Sequence, residues 1–176
     1  MKGGEAMETT MVGPDNIGAV REGLLALLDG GGAHARFEEA VKAFPARAIN
    51  RRPPNVPYTP WHLLEHIRLA QRDILDYIRD PEYQAPAWPA DYWPPRVATA
   101  TLDGLAATIE AFTADRAALR ELVLDPLRDP FAIIPGTPNH TLAREIRIVA
   151  DHNAFHLGEF TILRAVMGTW PADHPA

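Results

Sequence analysis

His152 and His156 stand four residues apart in Asp151-His152-Asn153-Ala154-Phe155-His156-Leu157-Gly158-Glu159. On a helix that spacing puts both imidazoles on one face, one turn apart. Two imidazoles so placed can share one divalent ion, because neutral imidazole is a common ligand of zinc, nickel and iron. Two side chains rarely hold an ion tightly, so a third ligand is expected. Far upstream, Trp61-His62-Leu63-Leu64-Glu65-His66 offers two histidines, again four apart. Either could serve. His62 falls in the first turn of its helix. His66 lies deeper, between Leu63, Ile67 and Leu69, where a ligand is shielded, and is favoured. His62 is then a rim residue or pocket liner, and Asp73 continues the line of His66 two turns on.

At about 100° per residue, Glu145, His152, His156 and Glu159 share one narrow stripe of the last helix. Ile148, Val149, Phe155 and Phe160 are expected to flank it. Polar groups buried in an apolar face cost about 1–3 kcal/mol each when unsatisfied. A metal with carboxylates behind its ligands would satisfy all four together; surface histidines beside acids are the bland alternative. Several metal and nucleophile chemistries are excluded. A zinc-protease helix needs glutamate directly after its first histidine, where this chain has Asn153. The Glu-x-x-His spacing of a di-iron bundle and the Gly-x-Ser-x-Gly elbow do not occur.

The chain has no cysteine. Disulfides, thiolate ligands and a cysteine nucleophile are therefore excluded, and any thiol chemistry must use a thiol brought from outside. Seventeen basic and 23 acidic residues give a net charge of −6 with no basic cluster, so nucleic acid is not an expected partner. No apolar run is long enough to span a bilayer, and the polar first residues lack a signal-peptide core; a cytoplasmic location is expected.

The ligands need helices to hold them. Residues 1–13 read as a flexible tail and 14–176 as a single domain. A first helix starts at Pro14-Asp15-Asn16 and ends at Asp29-Gly30-Gly31-Gly32, where the glycines read as a cap rather than a phosphate loop. A short extra helix is expected within 33–44, with Phe37, Val41 and Phe44 inward. After a proline-rich loop, Thr59-Pro60 opens a strong helix to about Arg79. A third long helix is expected from about Thr99 to Leu124, with Leu102 among its inward residues. The last runs from Thr141 to Gly168. Phe131-Ala132-Ile133-Ile134 is the one strand candidate and is too short to carry a sheet. The expected class is all-α: a four-helix bundle with long proline-rich connections and a short extra helix, where sites form between facing helices. The loop 80–98, with Tyr83, Trp88, Tyr92 and Trp93, is too apolar to float free; it packs over the domain or against a partner chain.

The motifs Trp61–His66 with Ile67, Pro81-Glu82-Tyr83, Trp88-Pro89, Tyr92-Trp93-Pro94, Thr141-Leu142-Ala143-Arg144-Glu145 and Asp151–Glu159 occur in that order. In this the chain resembles the DinB superfamily, the damage-inducible and thiol-transferase group, over about residues 14–170. The resemblance implies a four-helix bundle binding one divalent metal ion through His66, His152 and His156, and a homodimer. Similar proteins include metal-dependent transferases or isomerases that use low-molecular-weight thiols. His62 is a departure, since glutamine is frequent there.

The expected function is thus a zinc-, nickel- or iron-dependent transferase or isomerase acting on a small molecule with a low-molecular-weight thiol. His62 and Glu159 are the candidate catalytic residues, with Asp73 or Glu145 in support. The alternatives are a non-catalytic metal- or small-molecule-binding bundle with a sensor or resistance role, and an interaction protein acting through the aromatic loop.

Overall fold

Three of the long helices begin at a threonine whose hydroxyl accepts an otherwise orphaned backbone N–H. Thr59 accepts from His62 at 3.2 Å, Thr101 from Gly104 at 3.1 Å and Thr141 from Arg144 at 3.2 Å. These caps open α3 (Pro60–Arg79), α4 (Leu102–Leu124) and α5 (Leu142–Met167). They follow α1 (Pro14–Asp29) and the short α2 (Phe37–Val41). The computed structural model describes residues 14–174, so the expected tail 1–13 lies outside the described residues. Gly168 ends α5 at φ 60°, the left-handed cap for which glycine is suited. α4 starts at Thr101 rather than Thr99, and Leu102 is 58% exposed, not inward. Residues 131–134 form no strand; Ile133 makes a single bridge to Thr141.

The chain is all-α, with four long helices closely packed as a bundle. α3 packs against α4 and α5, and α1 against α5 and α4, so α1 faces α3 across the bundle. Cross-helix bonds set the directions. Trp61 Nε1 donates to Thr108, Gln71 to the Phe112 carbonyl and Arg72 to Asp115, so numbers rise together and α3 runs parallel to α4. α5 runs antiparallel to α3, pairing His66 with His156 and Asn153 with Gln71. α1 runs antiparallel to α4, with Arg21 bonding the carbonyls of Val123 and Arg128. Parallel neighbours need a connection that returns along the bundle. Residues 80–101 make that return, with a 3₁₀ turn at Ala90–Tyr92.

Two apolar clusters fill the interior. One gathers Leu24, Leu28, Leu75, Leu119, Val123 and Ile146. The other gathers Phe37, Leu63, Ile67, Phe112, Leu157 and Phe160, with Phe37 stacked on Phe112 at 3.8 Å. Between them lies a polar layer: Asn153 Nδ2 donates to Gln71 Oε1 at 3.0 Å, and Gln71 Nε2 to the Phe112 carbonyl at 2.8 Å. Arg164 is wholly buried and, among the described residues, has no counter-ion. It donates to the carbonyls of Ala40, Lys42 and Thr169 and lies over the Trp170 ring at 3.9 Å, tying α2 to the end of α5.

These clusters are apolar and extensive, so the fold does not wait for an ion as a zinc finger does. Chelation should leave the far-ultraviolet circular dichroism of the helices unchanged at room temperature while lowering the melting temperature. Loss of the helical signal on chelation would show that the core is insufficient.

Candidate metal centre

The antiparallel pairing of α3 with α5 brings His66 against both histidines of the last helix. Nε2 of His66 lies 3.2 Å from Nε2 of His156 and 3.2 Å from Nε2 of His152. The ligand atoms of all three lie within 4.8 Å of one another. Helical backbone holds each ring, and packing restricts it: His66 stacks on Trp93 at 3.9 Å with planes 7° apart. His156 stands edge-on to His66 at 4.7 Å.

The protons on these rings follow from their partners. His66 Nδ1 lies 2.8 Å from the Tyr92 carbonyl, and His156 Nδ1 lies 2.6 Å from Glu159 Oε2. A carbonyl and a carboxylate only accept, so each Nδ1 carries the hydrogen. With no further hydrogen on either ring, two Nε2 lone pairs face each other at 3.2 Å. A cation between them resolves that repulsion. A proton is disfavoured: burial lowers the pKa of His66, and burial together with the two neighbouring imidazoles lowers His152 to about 4. Nitrogens about 2.0–2.1 Å from one ion at a near-tetrahedral angle stand about 3.3 Å apart. The donor set therefore fits a metal ion, and His66, His152 and His156 could bind one.

Behind His66 stands a second set of contacts that sequence reasoning missed. Asp73 does not join the cluster. Its carboxylate accepts from the Tyr92 hydroxyl at 2.7 Å and from the Tyr83 hydroxyl. Both hydroxyls are held above the ordinary tyrosine range by burial and then by the bond to Asp73, Tyr92 reaching about 12. Asp73 thereby clamps the return loop against α3, and the loop delivers the Tyr92 carbonyl to His66 Nδ1 and the Trp93 ring to its face. Tyr83, Tyr92 and Trp93 fold back over their own chain; Trp88 is the ring left 72% exposed.

The other expected residues separate. His62 is buried and stands outside the cluster. Its Nδ1 accepts from the Thr59 backbone N–H at 3.4 Å, and its Nε2 pairs with the Ala98 carbonyl at 2.9 Å. Both nitrogens are committed, and His62 takes the place that glutamate fills in a reciprocal helix cap. The pattern Thr-x-x-His at the start of α3 was the available signal. Glu145 is buried but bonds Arg144 near His140, away from the metal ligands. Glu159 is at the site, orienting His156. Of the expected flanking residues, Val149 and Phe160 are buried, whereas Ile148 and Phe155 face outward. Tyr58 was not anticipated; it stacks on Trp93 at 5.3 Å, and burial and then the charge of Glu159 raise its pKa.

An all-α bundle with three histidines converging through Nε2 is the class that the fold and the site define. The chain belongs to the DinB superfamily, whose family model matches residues 32–160. That span carries α2 to most of α5 and all three histidines. No significant match was found among curated proteins or solved structures.

Replacing His66, His152 or His156 by alanine should abolish stoichiometric metal in elemental analysis, while His62→Ala keeps the metal and loses stability through the helix cap. Retention in all three variants would remove the assignment. Tyr92→Phe and Asp73→Asn should each weaken metal affinity about tenfold, the scale on which residues behind a ligand act. In chelated protein, the lowered His152 pKa works against stability in acid. That contribution is complete above the unfolded value of about 6.5 and is lost as pH falls toward 4. The melting temperature of the chelated protein, followed from pH 7.5 to 4.5, should fall in that window, and less so for His152→Asn.

Proposed function

We propose that this chain is a metal-dependent enzyme of the transferase or isomerase type that uses a low-molecular-weight thiol on a small-molecule substrate. The observation that carries the reading is the convergence of three imidazoles, with no other ligand in the group among the described residues. A divalent ion held there, zinc, nickel or iron, supplies a Lewis acid with an open position that acidifies a thiol or water brought to it. Neutral ligands leave the ion its full positive charge, which favours an anionic fourth ligand. The chain has no cysteine, so a thiolate in that role comes from solution.

The remaining residues suit the task. Glu159 holds the His156 hydrogen and adjoins Tyr58, and is the candidate to take up the thiol proton. Tyr58 stays protonated near neutral pH and is a candidate donor to a leaving group. Trp93 walls one side of His66 against water. One observation favours a second reading, a non-catalytic metal-binding bundle with a sensor or resistance role. Two large surface grooves, of about 810 and 710 Å³, are lined by none of the three histidines.

Cobalt-substituted protein separates the two. Titration with glutathione, bacillithiol, mycothiol or an alkyl thiol should produce a sulfur-to-cobalt charge-transfer band that is absent in His152→Ala. A spectrum unchanged by every thiol would end the thiol mechanism and leave the non-catalytic reading.

A further inference from the structure

The chain as a whole is acidic, yet one end of the bundle is not. Residues 40–64 carry Lys42, Arg47, Arg51 and Arg52 with no aspartate or glutamate, and residues 92–102 carry Arg96 with none. Folding joins these two segments. Asn50 Nδ2 donates to the Ala100 carbonyl at 2.8 Å, and the Ala100 N–H donates back to Asn50 Oδ1 at 3.0 Å. Arg52 Nη2 donates to the Arg96 carbonyl at 2.9 Å, which places Arg52 against a residue 44 positions away. Arg51 Nη2 donates to the Met167 carbonyl at 2.7 Å, at the end of α5.

Arg51, Arg52 and Arg96 are exposed, and among the described residues none of them pairs with a carboxylate. A guanidinium offers five N–H donors, so the single carbonyl bonds of Arg51 and Arg52 leave most of their capacity open. α3 and α4 run parallel and both begin at this end, at Thr59 and Thr101. The positive ends of two helix dipoles therefore add to the arginine charges.

The patch is continuous with the metal centre. Tyr58, on the loop that carries Arg51 and Arg52, stacks on Trp93 at 5.3 Å. Trp93, just before Arg96 in the chain, stacks on His66 at 3.9 Å. From Thr59 to His66 is about 10 Å along the helix, at ~1.5 Å per residue. That is within the span of a small extended molecule. The planar guanidinium matches the paired oxygens of a carboxylate or a phosphate.

We propose that Arg51, Arg52 and Arg96 bind the carboxylate or phosphate group of the small molecule whose other end reaches the metal past Tyr58 and Trp93. The metal-bound end rests on the proposed function. The anion-bound end does not, and is tested apart from it.

Methyl phosphate and acetate serve as probes in nuclear magnetic resonance titrations at low ionic strength. At least one should bind saturably to the zinc-loaded protein, and the tighter of the two names the oxyanion. Binding should persist in metal-free His152→Ala within a factor of about two, as for separate sites. Arg52→Gln and Arg96→Gln should each weaken it about tenfold, the scale of one charge-assisted hydrogen bond. Arg147→Gln, which removes an exposed arginine on the other half of α5, should leave it unchanged; circular dichroism verifies that each variant folds. Equal weakening by all three substitutions would overturn the proposal, since only diffuse charge would then be at work. Saturation by a DNA duplex or phosphatidylserine vesicles while both small anions fail would overturn it too. In the cobalt form, glutathione should half-saturate the charge-transfer band at lower concentration than its diethyl ester, and Arg52→Gln should close that gap by weakening glutathione alone. An equal response to both thiols would break the link between the arginines and the metal. If neither thiol gives a band, the thiol mechanism fails, and the anion titration alone decides for or against the arginine site.

Discussion

α3 and α4 run side by side in the same direction, and much of the site follows from that. Two parallel helices consecutive in the chain need a connection as long as the bundle. Residues 80–101 are that connection, and they retrace α3 from its end to its start. On the way they meet Asp73 through Tyr83 and Tyr92, His66 through the Tyr92 carbonyl and the Trp93 ring, and His62 through the Ala98 carbonyl. The prolines of the segment suit a chain that makes few backbone bonds of its own. A loop that topology requires is thereby used to orient a ligand.

The histidine cluster is organised around where its hydrogens sit. Tyr92 and Glu159 each claim an Nδ1 hydrogen, which turns two lone pairs inward. Burial lowers the pKa of His66 and His152, which disfavours a proton there. The arrangement is costly without a cation and favourable with one, so the centre is preorganised at the expense of stability. The bundle tolerates this because two extensive apolar clusters hold the helices together.

α5 works on three sides. Its inner side supplies Ile146, Val149, Leu157 and Phe160 to the core. An adjacent stripe supplies His152, His156 and Glu159. Its outer side keeps Ile148, Phe155 and Ile162 in water. A helix only half covered by its own chain has a wide apolar sector, and this explains why periodicity alone placed Phe155 and Ile148 beside the metal ligands as buried residues. Their angular positions were right and their burial was not, because burial depends on which neighbour arrives.

What was legible in the sequence rests on interactions within a few residues. Helix starts at Thr59 and Thr141, the stop at Gly168, the all-α class and the pairing of His152 with His156 all follow from capping and the 3.6-residue repeat. His66 was favoured over His62 on depth along one helix, also a local property. The roles of Asp73, Glu145 and His62 were not legible, because a carboxylate or imidazole on a helix face is equally suited to a metal, an arginine, a tyrosine or a cap. Tertiary structure alone chose among these. It brought Tyr83 and Tyr92 to Asp73, Arg144 and His140 to Glu145, and Ala98 to His62. The physical reason is that hydrogen-bonding capacity belongs to the side chain, whereas the partner that uses it arrives from distant parts of the chain only when the helices pack.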